Sequence, residues 1–389
     1  MNKSLLKKRL IIALSDPFCL AFIKGQAKYM KERGFEVYLF CPKGYDIEKF
    51  AIQEECVFVE IPYKREMSVL SDMKCLYMTY RKIRDINPDI INAGTPKAGL
   101  LCMLAGKMAG TKIRIFTLRG LRSITLKGYR KNIIRISEKI SCLCASRIIA
   151  ISPSLKEEAI RLHLSSPHKF SVLLKGSSNG VDLKRFYANN ELITKAEMKK
   201  KELNISPCSF IFGYVGRIVK DKGIEEVVLA FEKLQELYDI KLILVGPYEA
   251  NNPVSHFIVE KIKNNDDIID VGYSDDIPLY SLLMDIIILA SYREGFGNIV
   301  IEAAAMGTPA IVSNVPGARD SIVHNETGLL IEPKNIDSLF ASMKYYIENQ
   351  EIVKIHGLNG KKRVEEFFVN ELIWKEQEKI YNTLINSTV

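Results

Sequence analysis

Tyr292-Arg293-Glu294-Gly295-Phe296-Gly297-Asn298-Ile299-Val300-Ile301-Glu302-Ala303-Ala304-Ala305-Met306-Gly307-Thr308-Pro309 is the stretch on which the fold of this chain turns. An apolar, β-rich run (residues 285–291) precedes it and a second short apolar run (residues 309–313) follows. Strand, Gly-containing loop, helix, strand is the order of a βαβ unit. Glu294 then falls in the loop at the first strand's carboxyl end, and Glu302 about one turn into the helix. Open α/β sheets take their ligands at that edge. Gly295 and Gly297 let the backbone approach a ligand closely, and the unpaired N–H groups of the helix start suit an anion such as phosphate. Two carboxylates so placed can accept from sugar or ribose hydroxyls. On spacing alone, a surface loop followed by a solvated helical glutamate is an equal reading, because Gly-rich βα turns are common.

The same alternation extends in both directions. Strands are expected at residues 210–215, 241–245, 285–289, 310–312 and 329–331 of the second half. The first half offers 10–14, 37–40, 57–61, 90–92, 113–117 and 148–151. Between the early strands lie helical stretches near 22–31, 72–85 and 98–108, with Gly34 and Gly110 marking two of the ends. Such alternation implies parallel, doubly wound sheets. It breaks at 175–208, where the flexible Gly176-Ser177-Ser178-Asn179-Gly180 precedes a charged helix at 195–202.

A chain of 389 residues suggests two to three domains, and 47% hydrophobic with 26% charged residues is a globular composition. No apolar run approaches the roughly 18 residues of a membrane span. Residues 3–9 and 10–14 superficially mimic a signal peptide, but the apolar part is short and Asp16-Pro17 follows, so a first strand is expected. None of the eight Cys forms a CxxC pair, and Cys142 and Cys144 are poorly spaced for a metal. Reduced thiols, mostly in the core of a cytoplasmic protein, are expected. His163, His168, His256, His324 and His356 show no ligand spacing and read as surface or helix-end residues.

Charge divides the chain. Residues 1–180 hold 32 Lys and Arg against 15 Asp and Glu, a balance of +17, and residues 181–389 hold 23 against 31, or −8. The densest basic stretch, 112–147, interleaves Lys112, Arg114, Arg119, Arg122, Lys127, Arg130, Lys131, Arg135, Lys139 and Arg147 with Ile133, Ile134, Ile136, Ile140 and Leu143. A basic amphipathic helix suits an anionic membrane surface. An ordinary helix with a buried apolar face is the alternative. Nucleic acid is not expected, since no recognition motif accompanies the charge.

Glu294 and Glu302, eight positions apart among Gly295-Phe296-Gly297 and Gly307-Thr308-Pro309, resemble the E-x7-E signature of retaining glycosyltransferases, family 4. Further matches follow the family's order: Asn179-Gly180-Val181-Asp182; Gly213-Tyr214-Val215-Gly216-Arg217 to Lys222-Gly223; Leu244-Val245-Gly246; and Asp270-Val271-Gly272-Tyr273 with Asp276-Ile277-Pro278. Together they span about 175–333, and five in order are more specific than any one. The resemblance implies an α/β protein of GT-B fold, two Rossmann-like doubly wound domains facing a central cleft. It divides the chain into 1–178, on the acceptor side, and 179–370, holding the nucleotide sugar. The last helix (371–389, with Trp374 and Tyr381) crosses back to the first domain.

What the resemblance implies for individual residues is specific. Arg217 and Lys222 match the basic pair that stabilises a departing nucleoside diphosphate, Glu294 the position holding donor-sugar hydroxyls, and Glu302 the ribose contact. Gly295, Phe296, Gly297 and Asn298 match the loop and helix start near sugar and phosphate. Gly272, Tyr273 and Ile277 belong to the edge that reads the base, and Gly216 and Gly246 to the donor loops. No Asp-x-Asp motif stands in a metal-binding context, since Asp275-Asp276 and Asp266-Asp267 are adjacent pairs, so neither a metal nor another cofactor is expected. Two departures stand out. Where many members carry His after the fifth strand, Phe116-Thr117-Leu118-Arg119-Gly120 places Arg119, which cannot act as a general base and suits a donor phosphate or an acceptor pyrophosphate. Ser15-Asp16-Pro17-Phe18 replaces the usual Gly-Gly turn. Asp16, Lys97 and Arg122 are the acceptor-side candidates.

The expected function is hexose transfer with retention from a nucleotide-diphosphate sugar, UDP favoured, to a polyprenyl-diphosphate-linked glycan acceptor in surface polysaccharide synthesis. Partners would be the nucleotide sugar, the lipid-linked acceptor and the inner face of the cell membrane, where the chain would be peripheral. A sugar-nucleotide epimerase of related fold is the first alternative, although no carboxylate or His between 118 and 128 supplies its acid–base set. A catalytically silent sugar-nucleotide-binding subunit is the second, supported only by Arg119.

Overall fold

Ile286-Ile287-Ile288-Leu289 is buried at all four positions, as a central strand covered on both faces of a parallel sheet must be. The computed structural model describes residues 7–44, 46–64, 68–250 and 252–387. Contacts divide the chain into two units, one running to Asn179 and resuming at Asn370, the other Gly180–Val369.

The first unit contains β1 (Lys8–Ala13), α1 (Gln26–Glu32), β2 (Phe35–Cys41), α2 (Ile47–Gln53), β3 (Val57–Glu60), α3 (Val69–Ile86), β4 (Ile90–Ala93), α4 (Pro96–Met108), β5 (Ile113–Leu118), α5 (Gly128–Cys144), β6 (Arg147–Ala150), α6 (Pro153–Arg161) and β7 (Phe170–Val172). All its strands pair in parallel, in the order β3-β2-β1-β4-β5-β6-β7. Leu10 of β1 stands between Val37 and Ile90. The chain therefore reverses its direction of sheet growth between β1 and β4, a topological switch point.

The second unit contains α7 (Asn190–Glu202), β8 (Phe210–Val215), α8 (Ile224–Gln235), β9 (Ile240–Val245), α9 (His256–Lys263), β10 (Ile268–Gly272), α10 (Ile277–Leu283), β11 (Ile286–Leu289), α11 (Asn298–Ala305), β12 (Ala310–Ser313), β13 (Gly328–Ile331), α12 (Ile336–Glu348) and α13 (Gln350–Phe367). Its sheet, also all parallel, runs β10-β9-β8-β11-β12-β13, with the switch point between β8 and β11. Phe212, flanked by Leu242 and Ile286, is fully buried there with Tyr214 and Phe231.

The final helix, α14 (Asn370–Asn386), belongs to the first unit. Trp374 Nε1 donates to Asn179 Oδ1 at 2.8 Å, Gln26 Nε2 to Gln377 Oε1 at 3.1 Å, and Asn92 Nδ2 to the Tyr381 hydroxyl at 2.6 Å. Gln377 Nε2 donates to the same hydroxyl, whose ring is fully buried near Phe35. Tyr381→Phe is expected to leave two buried amide donors short of an acceptor and to destabilise the protein by about 1–3 kcal/mol. Chemical denaturation reads this as a lower midpoint at unchanged slope.

Three local expectations need correction. Residues 22–31 do not form one helix: a 3-10 turn, Pro17–Ile23, ends at Lys24, and α1 begins at Gln26. Gly25 lies between them at φ +82°, and the Trp374 indole fills the space a side chain there would need. His356 is neither at the surface nor at a helix end. It is buried within α13 against the Tyr346 hydroxyl (2.8 Å) and the Asn325 carbonyl (3.0 Å), and burial lowers its basicity. The third concerns the alternative reading of α5 as an ordinary helix with a buried apolar face: Ile133, Ile136 and Leu143 are exposed, Ile134 and Ile140 half-buried, and the buried face carries Glu138, Ser141, Cys142 and Cys144, with Glu138 accepting from Ser123 Oγ at 2.6 Å.

Candidate functional site

The loops after β8, β9 and β10 are joined through their glycines. The Gly216 N–H donates to Val245 O at 2.9 Å and the Gly246 N–H to Gly272 O at 2.7 Å. Gly246 has φ +152°, and a Cβ there would run into the Gly216 carbonyl. Only glycine lets these loops approach so closely. They sit at the carboxyl edge of the second sheet, beside its switch point.

On one side of that point, β8 leads through Gly216-Arg217 to a 3-10 turn, Lys220–Lys222. On the other, β11 leads into the Ser291–Asn298 segment and α11. Lys222 Nζ donates to Glu294 Oε1, and Ser291 Oγ donates to the same oxygen at 2.9 Å. The Lys222 and Glu294 side chains are 19% and 15% exposed, so this is a half-enclosed ion pair rather than a surface contact. Arg217, more open, donates to Glu249 Oε2 at 2.8 Å. The buried Tyr214 hydroxyl donates to the Arg217 carbonyl at 2.6 Å, and burial with the Glu294 charge nearby holds that phenol protonated. Both cations that the sequence assigns to phosphate thus rest on carboxylates, which an anionic ligand would have to replace as partners.

Glu302 lies in the second turn of α11, partly exposed. Burial pushes its carboxyl up to about 7, against the opposing pull of Arg185. Arg185 Nη2 donates to the Asp275 carbonyl at 2.6 Å, and its guanidinium lies 5.4 Å from the centroid of the Phe186 ring. The charge of that arginine acts on Glu302, and its hydrogen bond reaches the segment expected to read a base. In that segment Gly272 ends β10, Ile277 opens α10, and the exposed Tyr273 donates its hydroxyl to Asp275.

The Phe296 side chain is 2% exposed and packs on Phe368 at 5.3 Å between centroids. Only its backbone is left for a ligand, together with Gly295, Gly297 (the residue preceding α11) and Asn298 at the helix start. Glu249, Ser291 and Arg185 were missed by the sequence reading. Ser291 stands three residues before Glu294 and was visible as a candidate. Arg185 and Glu249 reach the site only through the fold.

In the first unit the candidates follow the carboxyl ends of β1, β4 and β5. Asp16 accepts from the Phe18 N–H at 3.0 Å and caps the following turn, while Arg122 is exposed in a short turn after β5. Lys97 is paired with Asp72 at 2.8 Å and largely buried. Arg119 follows β5, and its Nη1 donates to Ser178 Oγ. Among the described residues no three His, Cys, Asp or Glu side chains are grouped to hold a metal ion. Asp276 pairs with Lys195 and Asp267 with Lys241.

Two doubly wound parallel sheets, one with an ion-paired lysine and glutamate at its switch point, define the class of GT-B glycosyltransferases. The family description "Glycosyl transferases group 1" matches residues 195–363, and "Glycosyltransferase Family 4" matches residues 22–185. A Staphylococcus aureus relative, "Capsular polysaccharide biosynthesis glycosyltransferase CapM", is 34% identical over 95% of each chain. An Escherichia coli relative, "UDP-Gal:alpha-D-GlcNAc-diphosphoundecaprenol alpha-1,3-galactosyltransferase", is 27% identical over 91% of this chain and 90% of its own. In fold, the chain is similar to Anabaena Alr3699/HepE, solved with UDP and glucose, at a TM-score of 0.81 and 17% identity over 97% of this chain and 100% of that one. The chain belongs to glycosyltransferase family 4.

Proposed function

We propose that this glycosyltransferase moves a hexose, with retention and without a metal, from a UDP-sugar to a diphospholipid-linked glycan acceptor in surface polysaccharide synthesis. The Lys222–Glu294–Ser291 cluster beside Arg217 is the observation that carries the reading. As the bond from the anomeric carbon to the diphosphate oxygen breaks, negative charge develops on the leaving group, and Arg217 and Lys222 stabilise it. Glu294, released from Lys222, accepts from sugar hydroxyls, and Glu302 accepts from the ribose. The acceptor oxygen bonds to the anomeric carbon on the face the diphosphate leaves, and its proton passes to the departing diphosphate. The activity named for the Escherichia coli relative supports a UDP-sugar donor and an undecaprenyl-diphosphate acceptor, and that of the Staphylococcus aureus relative a polysaccharide product.

The test is turnover of UDP-sugars with a prenyl-diphosphate-linked monosaccharide, the product's anomeric configuration being read by NMR. An α-linked product from an α-linked donor is expected, at a rate unchanged by EDTA. Inversion would overturn retention, and loss of turnover in EDTA would overturn metal independence.

The chain works, in this reading, as a peripheral protein on the inner membrane face. No helix among the described residues is long and apolar enough to cross a membrane. The exposed Tyr129, Ile133, Ile136 and Leu143 of α5, interspersed with Arg130 and Lys139, suit an anionic lipid surface. Ile133→Glu with Ile136→Glu is expected to abolish sedimentation with anionic vesicles while sparing turnover of a short-chain, water-soluble acceptor. Unchanged sedimentation would remove α5 from the membrane contact.

A further inference from the structure

The most unusual charge in the first unit is Arg119. Three other arginines of the chain help to calibrate it. Arg114 fills its fork with the carbonyls of Cys144, Thr111 and Lys112, Arg363 with those of Ser321 and Asp320, and Arg293, whose Nε is also buried without a hydrogen-bond partner, has the Asp221 carboxylate at 3.7 Å. Arg119 has one hydroxyl, Ser178 Oγ, and the face of Phe22 with its centroid 5.0 Å from Cζ. Its Nε is buried and has no hydrogen-bond partner. Among the described residues no carboxylate forms an ion pair with it. Burial lowers its basicity to about 10, which leaves it charged at neutral pH.

A guanidinium removed from water without a counter-charge costs several kcal/mol. The fold nevertheless makes room for it. A Cβ at Gly94 would stand 2.7 Å from Arg119 Nε, so the residue ending the β4 edge has no side chain where the guanidinium lies. Gly94-Thr95 leads directly into α4, a 13-residue helix that opens with Pro96 and has no side-chain cap on its first turn. The Thr95 hydroxyl accepts from Ser15 N–H, at 2.8 Å, and so joins this corner to the end of β1. Arg119 and the positive end of α4 therefore meet at the β1/β4 switch point, where a doubly wound sheet takes its ligand.

We propose that this corner of the first unit is a second anion site, in which Arg119 and the α4 N-terminus hold a phosphate-type group. Arg119 belongs to the first unit, whereas Arg217 and Lys222 belong to the second. The chemistry is that of a diphosphate, supplied either by the lipid-linked acceptor or by the nucleotide sugar. The site itself does not depend on the proposed function; only the choice between those sources does.

The first test is calorimetric titration with inorganic pyrophosphate. An Arg217→Ala/Lys222→Met variant is expected to keep one binding event, and adding Arg119→Met is expected to weaken that event at least tenfold. Arg119→Lys, which keeps the charge but not the fork, should fall between. Residual binding that ignores Arg119→Met, or no residual binding at all, would overturn the site. Melting of Arg119→Met alone, without ligand, guards against misfolding. Arg119→Met forfeits the Ser178 hydrogen bond and the Phe22 contact but relieves an enclosed charge without a counter-ion, so the variant should melt close to the wild type, whereas a structural arginine would leave it clearly lower and overturn the proposal. The second test separates the sources. A raised KM for the prenyl-diphosphate acceptor at constant donor KM assigns the anion to the acceptor, and the reverse pattern assigns it to the donor. If neither KM moves, no substrate phosphate uses the site.

Discussion

Lys222→Met is expected to lower kcat/KM for the nucleotide sugar by about 10² to 10³, the roughly 3–4 kcal/mol that one preorganised contact to a developing anion contributes. The structure adds a consequence that a motif does not carry. Lys222 is bonded to Glu294 in the unliganded protein, and Ser291 shares the same carboxylate oxygen. Removing the lysine leaves Glu294, only 15% exposed, with the Ser291 hydroxyl on its Oε1. The single variant should therefore also lose stability, since breaking an enclosed pair strands its other charge. Lys222→Met/Glu294→Gln removes both charges and should recover most of that stability while recovering none of the activity. A double-mutant cycle run on melting and on turnover would show strong coupling in the first and two losses in the second. Recovery of turnover in the double variant would mean that Lys222 serves only to neutralise Glu294, and the leaving-group role would be abandoned.

Much of the second unit was legible because its backbone requirements are local. A parallel strand must be apolar throughout, and a βα loop that crosses another loop must have glycine there. Gly216 and Gly246 are visible as motif positions and turn out to be the points at which two loops nearly touch. Phe296 shows the limit of such reading. It belongs to the same motif, yet its ring is anchored on Phe368, more than seventy positions away, so its role is to fix the loop from beneath. Arg185 shows the opposite limit: nothing in its neighbours in sequence signals that it reaches Asp275 and Glu302. In the first unit, the pairing of Lys97 was not legible, because Asp72 sits on a different helix. The apolar residues of α5 were legible as a stripe, but the direction they face was decided by tertiary packing, with Glu138 turned inward to Ser123.

Glu302 gives the second large effect, and its sign can be worked out from the pH dependence. Its carboxyl stands at about 7 in the folded protein against an ordinary value of 4.5, because burial disfavours the charge more than Arg185 favours it. The folded state therefore holds the proton more tightly than the unfolded chain. The stability that this contributes is fully present below the unfolded value and is lost as pH rises through the folded value. At about pH 8 the unliganded protein carries an enclosed charge that Glu302→Gln would lack. The variant is expected to be more stable there by on the order of 2–3 kcal/mol, allowing for the part of the side chain that stays solvated, and to differ much less at about pH 5. Donor binding should run the other way. Ribose hydroxyls donate to the ionised carboxyl and lower its proton affinity, so the wild type should bind nucleotide sugar progressively more weakly as pH falls below about 7. Glu302→Gln should bind weakly throughout, with that pH dependence removed. Thermal melts and donor titrations across this range measure both halves. Parallel melting curves for variant and wild type from acid to mild alkali would show that Glu302 is solvated in the free protein, and the ribose role would then lose its physical basis.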